Sequence, residues 1–226
     1  MKKIKLSENV LEENDFAAKK ARKYFTKQNI FVVNFMGSPG SGKTTLISGV
    51  IKLLKKKYSL GVIEGDVATS KDAEKIAKLK VPVVLLNTDQ IGNACHLTSK
   101  MIRKAYKKLG KKVDILFIEN IGNLVCPAEF DLGEHLRISM TSVTEGDDKI
   151  SKYPPMFMNA NAIVVNKFDL LKHFDFNLKE VKREIARLNP SAEVFYLSAT
   201  AHGDLKKVAG YIEERSVQSD KITKYK

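Results

Sequence analysis

The stretch Gly37-Ser38-Pro39-Gly40-Ser41-Gly42-Lys43-Thr44 constrains the fold more than any other part of the chain. Its pattern, G-x-x-x-x-G-K-[ST], is a phosphate-binding loop. Phe31 to Met36 precede it as a buried strand. Thr45 to Lys57 follow as a helix with Leu46, Val50, Leu53 and Leu54 on its apolar side. Strand, glycine-rich turn and helix are the context the motif needs. The glycines let backbone N–H groups approach phosphate oxygens, and the helix amino-terminus adds the positive end of its dipole. Lys43 is expected to neutralise the β and γ phosphates and Thr44 to place its hydroxyl on Mg²⁺, with Thr45 completing the nucleotide contacts.

A chain of 226 residues is long enough for a single α/β domain with a sizeable core, and the regular apolar runs argue against disorder. The expected organisation is one domain over 1–226, with an amphipathic helix at about 7–28 and a short basic tail at the carboxyl end. Cys95 and Cys126 are the two cysteines, so a disulfide scaffold is excluded and reduced thiols or metal ligands are expected. No apolar run reaches membrane-spanning length. Met1-Lys2-Lys3-Ile4-Lys5-Leu6 is followed by acids rather than an apolar stretch, so no secretory leader is read and a cytoplasmic location is expected. The net charge of +13 raises a nucleic-acid reading. The lysines of 52–57, 100–112 and 206–207 sit at helical spacing beside apolar residues, without an aromatic stacking surface. They read as solvated helix faces, and nucleic acid is not favoured.

Further along, Leu60 to Ile63 form a short strand ending in Glu64-Gly65-Asp66. An acid past the carboxyl end of a strand sits where open α/β sheets bind ligands. Asp66 is expected to hold Mg²⁺ or orient the attacking water; the alternative is a cap on the helix Ser70–Leu79. Val81 to Leu86 form another strand, and the polar turn Asn87–Ala94 leads to Cys95-His96. A cysteine and a histidine are candidate ligands for Zn²⁺ or Ni²⁺, but two ligands do not make a site. The strand Val113–Ile118 ends in Glu119-Asn120-Ile121-Gly122. Glu119 would reach the Mg²⁺ shell, and Gly122 would offer its N–H to the γ phosphate and move when that phosphate leaves. Cys126 follows just after.

The strand Ile138–Val143 leads to Thr144-Glu145-Gly146-Asp147-Asp148, read as a solvated loop rather than a second metal site. Ala162 to Val165 run into Asn166-Lys167-Phe168-Asp169, the pattern N-K-x-D. Asp169 can accept two hydrogen bonds from guanine N1 and N2, which adenine cannot reproduce. Asn166 can support N7, and the stem of Lys167 can cover the base. Ser198-Ala199-Thr200, after the strand Glu193–Leu197, matches the loop that closes on the guanine edge.

These motifs, with Ala94-Cys95-His96-Leu97, Ile118 to Pro127, Asp131-Leu132-Gly133-Glu134-His135 and Thr144 to Asp148, make the chain resemble the HypB family of GTPases, which assist nickel insertion into hydrogenase. The resemblance runs from about Phe31 to about Val208. It implies a three-layer P-loop fold with a mostly parallel sheet flanked by helices. It also implies GTP hydrolysis with Mg²⁺, a GTP-dependent homodimer, and a Ni²⁺ or Zn²⁺ site at the subunit interface, for which Cys95, His96 and Cys126 match the family's ligands. The implied partners are a HypA-type nickel chaperone and the hydrogenase large subunit. The related urease nickel GTPase is less similar, because it has Cys-Pro-His where this chain has Cys126-Pro127-Ala128.

There are departures from the family pattern. The first 30 residues contain no Cys or His, so nickel storage is not expected. Thr98 stands where the family commonly has Asp, and Thr88–Ala94 differs from the usual short glycine turn. His135, His173 and His202 are read as structural or exposed. No arginine finger is evident, so slow intrinsic turnover is expected. A regulatory GTP switch with inert cysteines and a kinase-like transferase are the competing readings; N-K-x-D argues against the second.

Overall fold

Alternate residues of the strand before the P-loop face opposite ways, and each face is buried under helices. The computed structural model describes residues 6–66, 71–87 and 95–224. In strand β1 (Phe31–Gly37), Phe31, Val33 and Phe35 point into one core and Val32 and Met36 into others. A parallel strand covered on both sides reads as a continuous apolar run, which is why this one was legible.

The chain continues through α2 (Lys43–Leu54), β2 (Leu60–Asp66), α3 (Lys71–Ala77), β3 (Val83–Asn87), α4 (Ser99–Leu109) and β4 (Ile115–Glu119). The short α5 (Cys126–Glu129) precedes β5 (Leu136–Ser142). After a 3₁₀ turn at Val143–Glu145 come α6 (Lys149–Lys152), α7 (Pro154–Met158) and β6 (Ala162–Asn166). A second 3₁₀ turn, Phe168–His173, leads to α8 (Leu178–Leu188), β7 (Glu193–Tyr196) and α9 (His202–Lys224). The helix α1 (Leu6–Lys27) stands before all of them. The basic residues read as a tail therefore carry α9 on to Lys224.

The seven strands are all parallel, in the order β3-β2-β4-β1-β5-β6-β7. One face packs against α2, α3 and α9 through Leu46, Val50, Ile76, Val208 and Ile212. The other packs against α1 and α4 through Phe25, Ile102 and Ala105, and against α5–α8 through Ala128, Phe157, Val181 and Ile185. The result is the three-layer arrangement expected. Among the described residues no helix is long and apolar enough to cross a membrane.

Register brings the functional motifs to one edge. Phe35 lies opposite Glu119, Glu64 opposite Glu119, and Ser142 opposite Asn166. The P-loop, the two acidic strand ends and N-K-x-D thus share the carboxyl edge, and the order reverses about β1. That is the topological switch point at which open α/β sheets bind ligands.

Candidate functional site

At that edge a cleft of about 420 Å³ is lined by Pro39, Lys43, Thr44, Glu119, Asn120, Gly122 and Lys167. The Lys43 ammonium donates to the carbonyls of Gly37 and Ser38, each at 3.0 Å, and so lies back along its own loop. Thr44 Oγ1 donates to Glu119 Oε1 at 2.7 Å. The hydroxyl and the carboxylate expected to share one Mg²⁺ therefore already meet. Glu64, Gly65 and Lys75 of α3 also line the cleft. Asp66 ends β2, but its side chain and residues 67–70 lie outside the described residues.

The turn after β4 rests directly on the P-loop. A β-carbon at Gly122 would come within 2.9 Å of Pro39 Cγ and 3.0 Å of Pro39 N. Only a residue without a side chain allows that approach, so a change in one loop is felt by the other.

Asn166 works as a clamp. Its Nδ2 donates to the Ser41 carbonyl at 2.8 Å, and its Oδ1 accepts from the Ala199 N–H at 2.9 Å. One buried carboxamide thus ties the P-loop to the Ser198–Thr200 loop. Gly42 leaves room for it: its φ is +96°, and a β-carbon there would lie 2.2 Å from Asn166 Nδ2. Ser198 donates its N–H to Asp204 Oδ2 at 3.0 Å, and this bond is the leading cause holding the Asp204 carboxyl below its usual range. Lys167, with φ +55°, donates from Nζ to Thr144 Oγ1 at 3.0 Å. Asp169 lies exposed on the following 3₁₀ turn.

The Thr144–Asp148 segment is more closely engaged than a solvated loop. Glu145 accepts from Ser38 Oγ of the P-loop, and from Ser142 Oγ at 2.8 Å. This contact was not read from the sequence; a carboxylate three residues past the end of β5 was the signal available.

Cys95 and Cys126 come together on the surface, with sulfurs 2.8 Å apart, and both are free thiols. His96 Nδ1 is 3.7 Å from Cys95 Sγ. The His96 ring stacks on Phe130 with centroids 3.7 Å apart. Burial lowers the His96 pKa against the opposing charge of Glu129, which favours the neutral, ligating form. The Cys95 thiol is raised, first by its hydrogen bond with Cys126 and then by desolvation. Two sulfurs on one tetrahedral zinc would stand about 3.8 Å apart, so ligation would require the pair to open. Among the described residues no group of three His, Cys, Asp or Glu side chains is arranged to hold a metal within one chain. Residues 88–94 lie outside the described residues, so the divergent segment Thr88–Ala94 is not seen. Thr98 caps α4, its hydroxyl accepting from Met101 N at 3.3 Å.

His135 is structural, with Nδ1 accepting from Val32 N at 3.0 Å and the ring stacked on Phe31. His173 and His202 are exposed.

Comparison with known proteins places these features in one group. Residues 31–196 match the family model for the CobW/HypB/UreG nucleotide-binding domain. The hydrogenase/urease maturation factor HypB of Helicobacter hepaticus is 39% identical over 223 residues, spanning 96% of this chain and 90% of the relative. The probable hydrogenase maturation factor HypB of Methanocaldococcus jannaschii is 42% identical over 212 residues, spanning 93% and 95%. Among solved structures, HypB from Helicobacter pylori in complex with nickel superposes with a TM-score of 0.85 at 37% identity, over 91% of this chain and 96% of that one.

Proposed function

The chain belongs to the CobW/HypB/UreG nucleotide-binding family, in its HypB branch, and from that membership we propose that it is a GTP-hydrolysing metallochaperone that assists nickel insertion into a hydrogenase. The observation that carries this is the position of Cys126. It meets Cys95 at 2.8 Å, and it lies four residues beyond the Gly122 that packs on the P-loop. A metal ligand and a nucleotide sensor thus share one short segment.

Lys43 and the P-loop amides would hold the phosphates, and Asp169 would select guanine. Thr44 and Glu119 present hard oxygen donors at one point, a set that fits Mg²⁺. When bound there, Mg²⁺ supplies charge neutralisation to the phosphates. Asp66, at the end of β2, would orient the attacking water or complete the Mg²⁺ shell. With GTP bound, the turns at Asp66 and at Glu119–Gly122 order into a self-complementary face, and two copies pair through it. Cys95, His96 and Cys126 of both copies then hold the cargo, Ni²⁺ or Zn²⁺, for which the described residues of one chain arrange no set of three ligands. Hydrolysis releases the turns and loosens dimer and cargo together.

The proposed partners are a HypA-type nickel chaperone upstream and the hydrogenase large subunit downstream, in the cytoplasm. A urease recipient is the second reading, favoured by the joint hydrogenase/urease naming of the Helicobacter relatives.

Native mass spectrometry with limiting Ni²⁺, in a non-hydrolysable GTP analogue and in GDP, tests the proposal. A nickel-carrying dimer that forms with the analogue and is lost in Cys95→Ser and Cys126→Ser is the expected result. Protein that stays metal-free in both nucleotides would leave a regulatory GTPase without metal delivery.

A further inference from the structure

We propose that Asn34 and Glu134 form a buried relay that couples the turn at Asn120–Gly122 to the two segments carrying Cys95 and Cys126. The inference rests on the metallochaperone reading and assigns its coupling to particular residues.

Asn34 is out of place in its strand. It is fully buried in the middle of β1, on the face that Val32 shares with α1 and α4. An apolar residue would fill the position without the cost of burying a carboxamide. Asn34 Oδ1 accepts from Asn120 Nδ2 at 3.3 Å, and Asn34 Nδ2 donates to Glu134 Oε1 at 3.3 Å. Asn120 in turn holds its own loop: its Oδ1 accepts from Ile121 N at 2.9 Å, and its backbone N–H donates to the Phe35 carbonyl at 2.9 Å. Asn120 also lines the nucleotide cleft. The relay therefore begins at the wall of that cleft.

Glu134 is where it branches. Its Oε2 accepts from Leu132 N at 2.9 Å, and its Oε1 accepts from Arg137 Nε at 2.7 Å. Arg137 reaches on to the carbonyls of Ala128 and Phe130, both at 3.5 Å, on the backbone that leads back to Cys126. The second branch leaves through the Glu134 carbonyl, which accepts from Arg22 Nε at 2.9 Å. Arg22 Nη2 donates to both carboxylate oxygens of Asp131, at 2.6 and 2.7 Å. The Asp131 carbonyl accepts from Asn14 Nδ2 at 2.8 Å, and Asn14 Oδ1 accepts from Ser99 N at 3.3 Å. Ser99 opens α4, four residues after Cys95. Helix α1 is thus part of the connection, and the Asp131–His135 motif is its junction.

A buried polar network with its members bonded holds one arrangement of the backbone around it. The two bonds of Asn34, each 3.3 Å, are long ones, and the first of them joins the turn itself, so a shift of the turn at 120–122 acts on them directly. Such a shift frees Glu134 to re-pair, and the change reaches the Cys126 segment through the mostly buried Arg137 and the Cys95 segment through the partly exposed Arg22–Asp131 pair.

The test uses the whole chain and two readouts. The first, without metal, is amide hydrogen exchange of residues 95–99 and 126–132 in GDP and in a non-hydrolysable GTP analogue. The second is Ni²⁺ affinity in the same two nucleotides. The parent is expected to show nucleotide-dependent protection in both segments and a change of roughly tenfold in Ni²⁺ affinity. Asn34→Leu, of similar size but unable to bond, should lose the protection difference. Its affinity ratio should fall to within about twofold of unity, while nucleotide affinity is kept. Glu134→Gln should do the same, and Asn14→Ala should lose the protection difference in residues 95–99 while keeping it in 126–132; these two carry the comparison if Asn34→Leu does not fold. A merely structural role would lower stability and leave the ratio intact. Variants that fold and keep the parental ratio and protection difference overturn the relay alone. A parent with no nucleotide dependence in either readout overturns both the relay and the metallochaperone reading.

Discussion

Thr44 donates its hydroxyl to the Glu119 carboxylate at 2.7 Å, across the interval between the start of α2 and the end of β4. The two residues are 75 positions apart, and the register of β1 with β4 brings them together. On the proposed reading, this hydroxyl and carboxylate would be the protein's half of a Mg²⁺ shell. Thr44→Val keeps the shape and removes the donor. Turnover should fall by about a hundredfold, with half-saturation moved to higher Mg²⁺. Phosphate release measured across a Mg²⁺ titration checks both, and an unchanged Mg²⁺ dependence would remove Thr44 from the shell.

Asn166 has a second role beyond the base it is expected to support. It joins Ser41 to Ala199, and both partners are buried. Asn166→Ala leaves a carbonyl and an N–H without their bonds, at about 1–3 kcal/mol each. Asn166→Asp keeps an acceptor for Ala199 but cannot donate to Ser41, so its loss should be intermediate. Gly42→Ala attacks the same clamp from the other side, because its β-carbon would collide with Asn166 Nδ2. Nucleotide-free thermal unfolding should rank the parent above Asn166→Asp and Asn166→Asp above Asn166→Ala, and Gly42→Ala should lose nucleotide binding.

What was legible in the sequence is what backbone geometry demands locally. The P-loop needs its glycines, and buried parallel strands need their apolar runs, so the sheet and its motifs could be placed along the chain. Helix α9 lay beyond that reading although Leu205, Val208, Ala209 and Ile212 recur at helical spacing; charged residues dilute the pattern. Cys95, His96 and Cys126 could be named, but two thiols 31 positions apart meet only once the fold is known. Asn34 gave no signal among its apolar neighbours. Glu145 looked solvated, and its contact with Ser38 depends on β5 lying beside β1.

Asp169 sits exposed on a 3₁₀ turn beside the clamp, free to meet a base edge. Its carboxylate would accept from N1 and N2 of guanine. Asp169→Asn replaces one acceptor with a donor, which suits xanthine, where a carbonyl stands in place of the 2-amino group. GTP affinity should fall by on the order of a hundredfold or more, and XTP should gain. Competition of GTP, XTP and ATP for the nucleotide-free protein checks this, and equal competition by ATP for the parent would overturn guanine selection by Asp169.

His135 makes the chain sensitive to acid for a reason separate from nucleotide or metal. Its Nδ1 accepts from the Val32 N–H, and its Nε2 lies 2.8 Å from Thr26 Oγ1, which itself donates to the Arg22 carbonyl. These partners assign the neutral ring with the proton on Nε2. A proton added at Nδ1 would face a backbone N–H. Burial, helped by the Arg22 charge, lowers the pKa to about 4. The unfolded chain binds this proton at a pKa of about 6.5, so between those values it holds more protons than the folded one. Stability from this group is complete above about pH 6.5 and is lost progressively as pH falls towards 4, by at most about 3 kcal/mol. His135→Gln should be less stable than the parent near neutral pH, with a smaller loss on acidification. Urea unfolding at about pH 7.5 and about pH 5 measures the two slopes, and equal losses in parent and variant would show that the His135 proton does not set them.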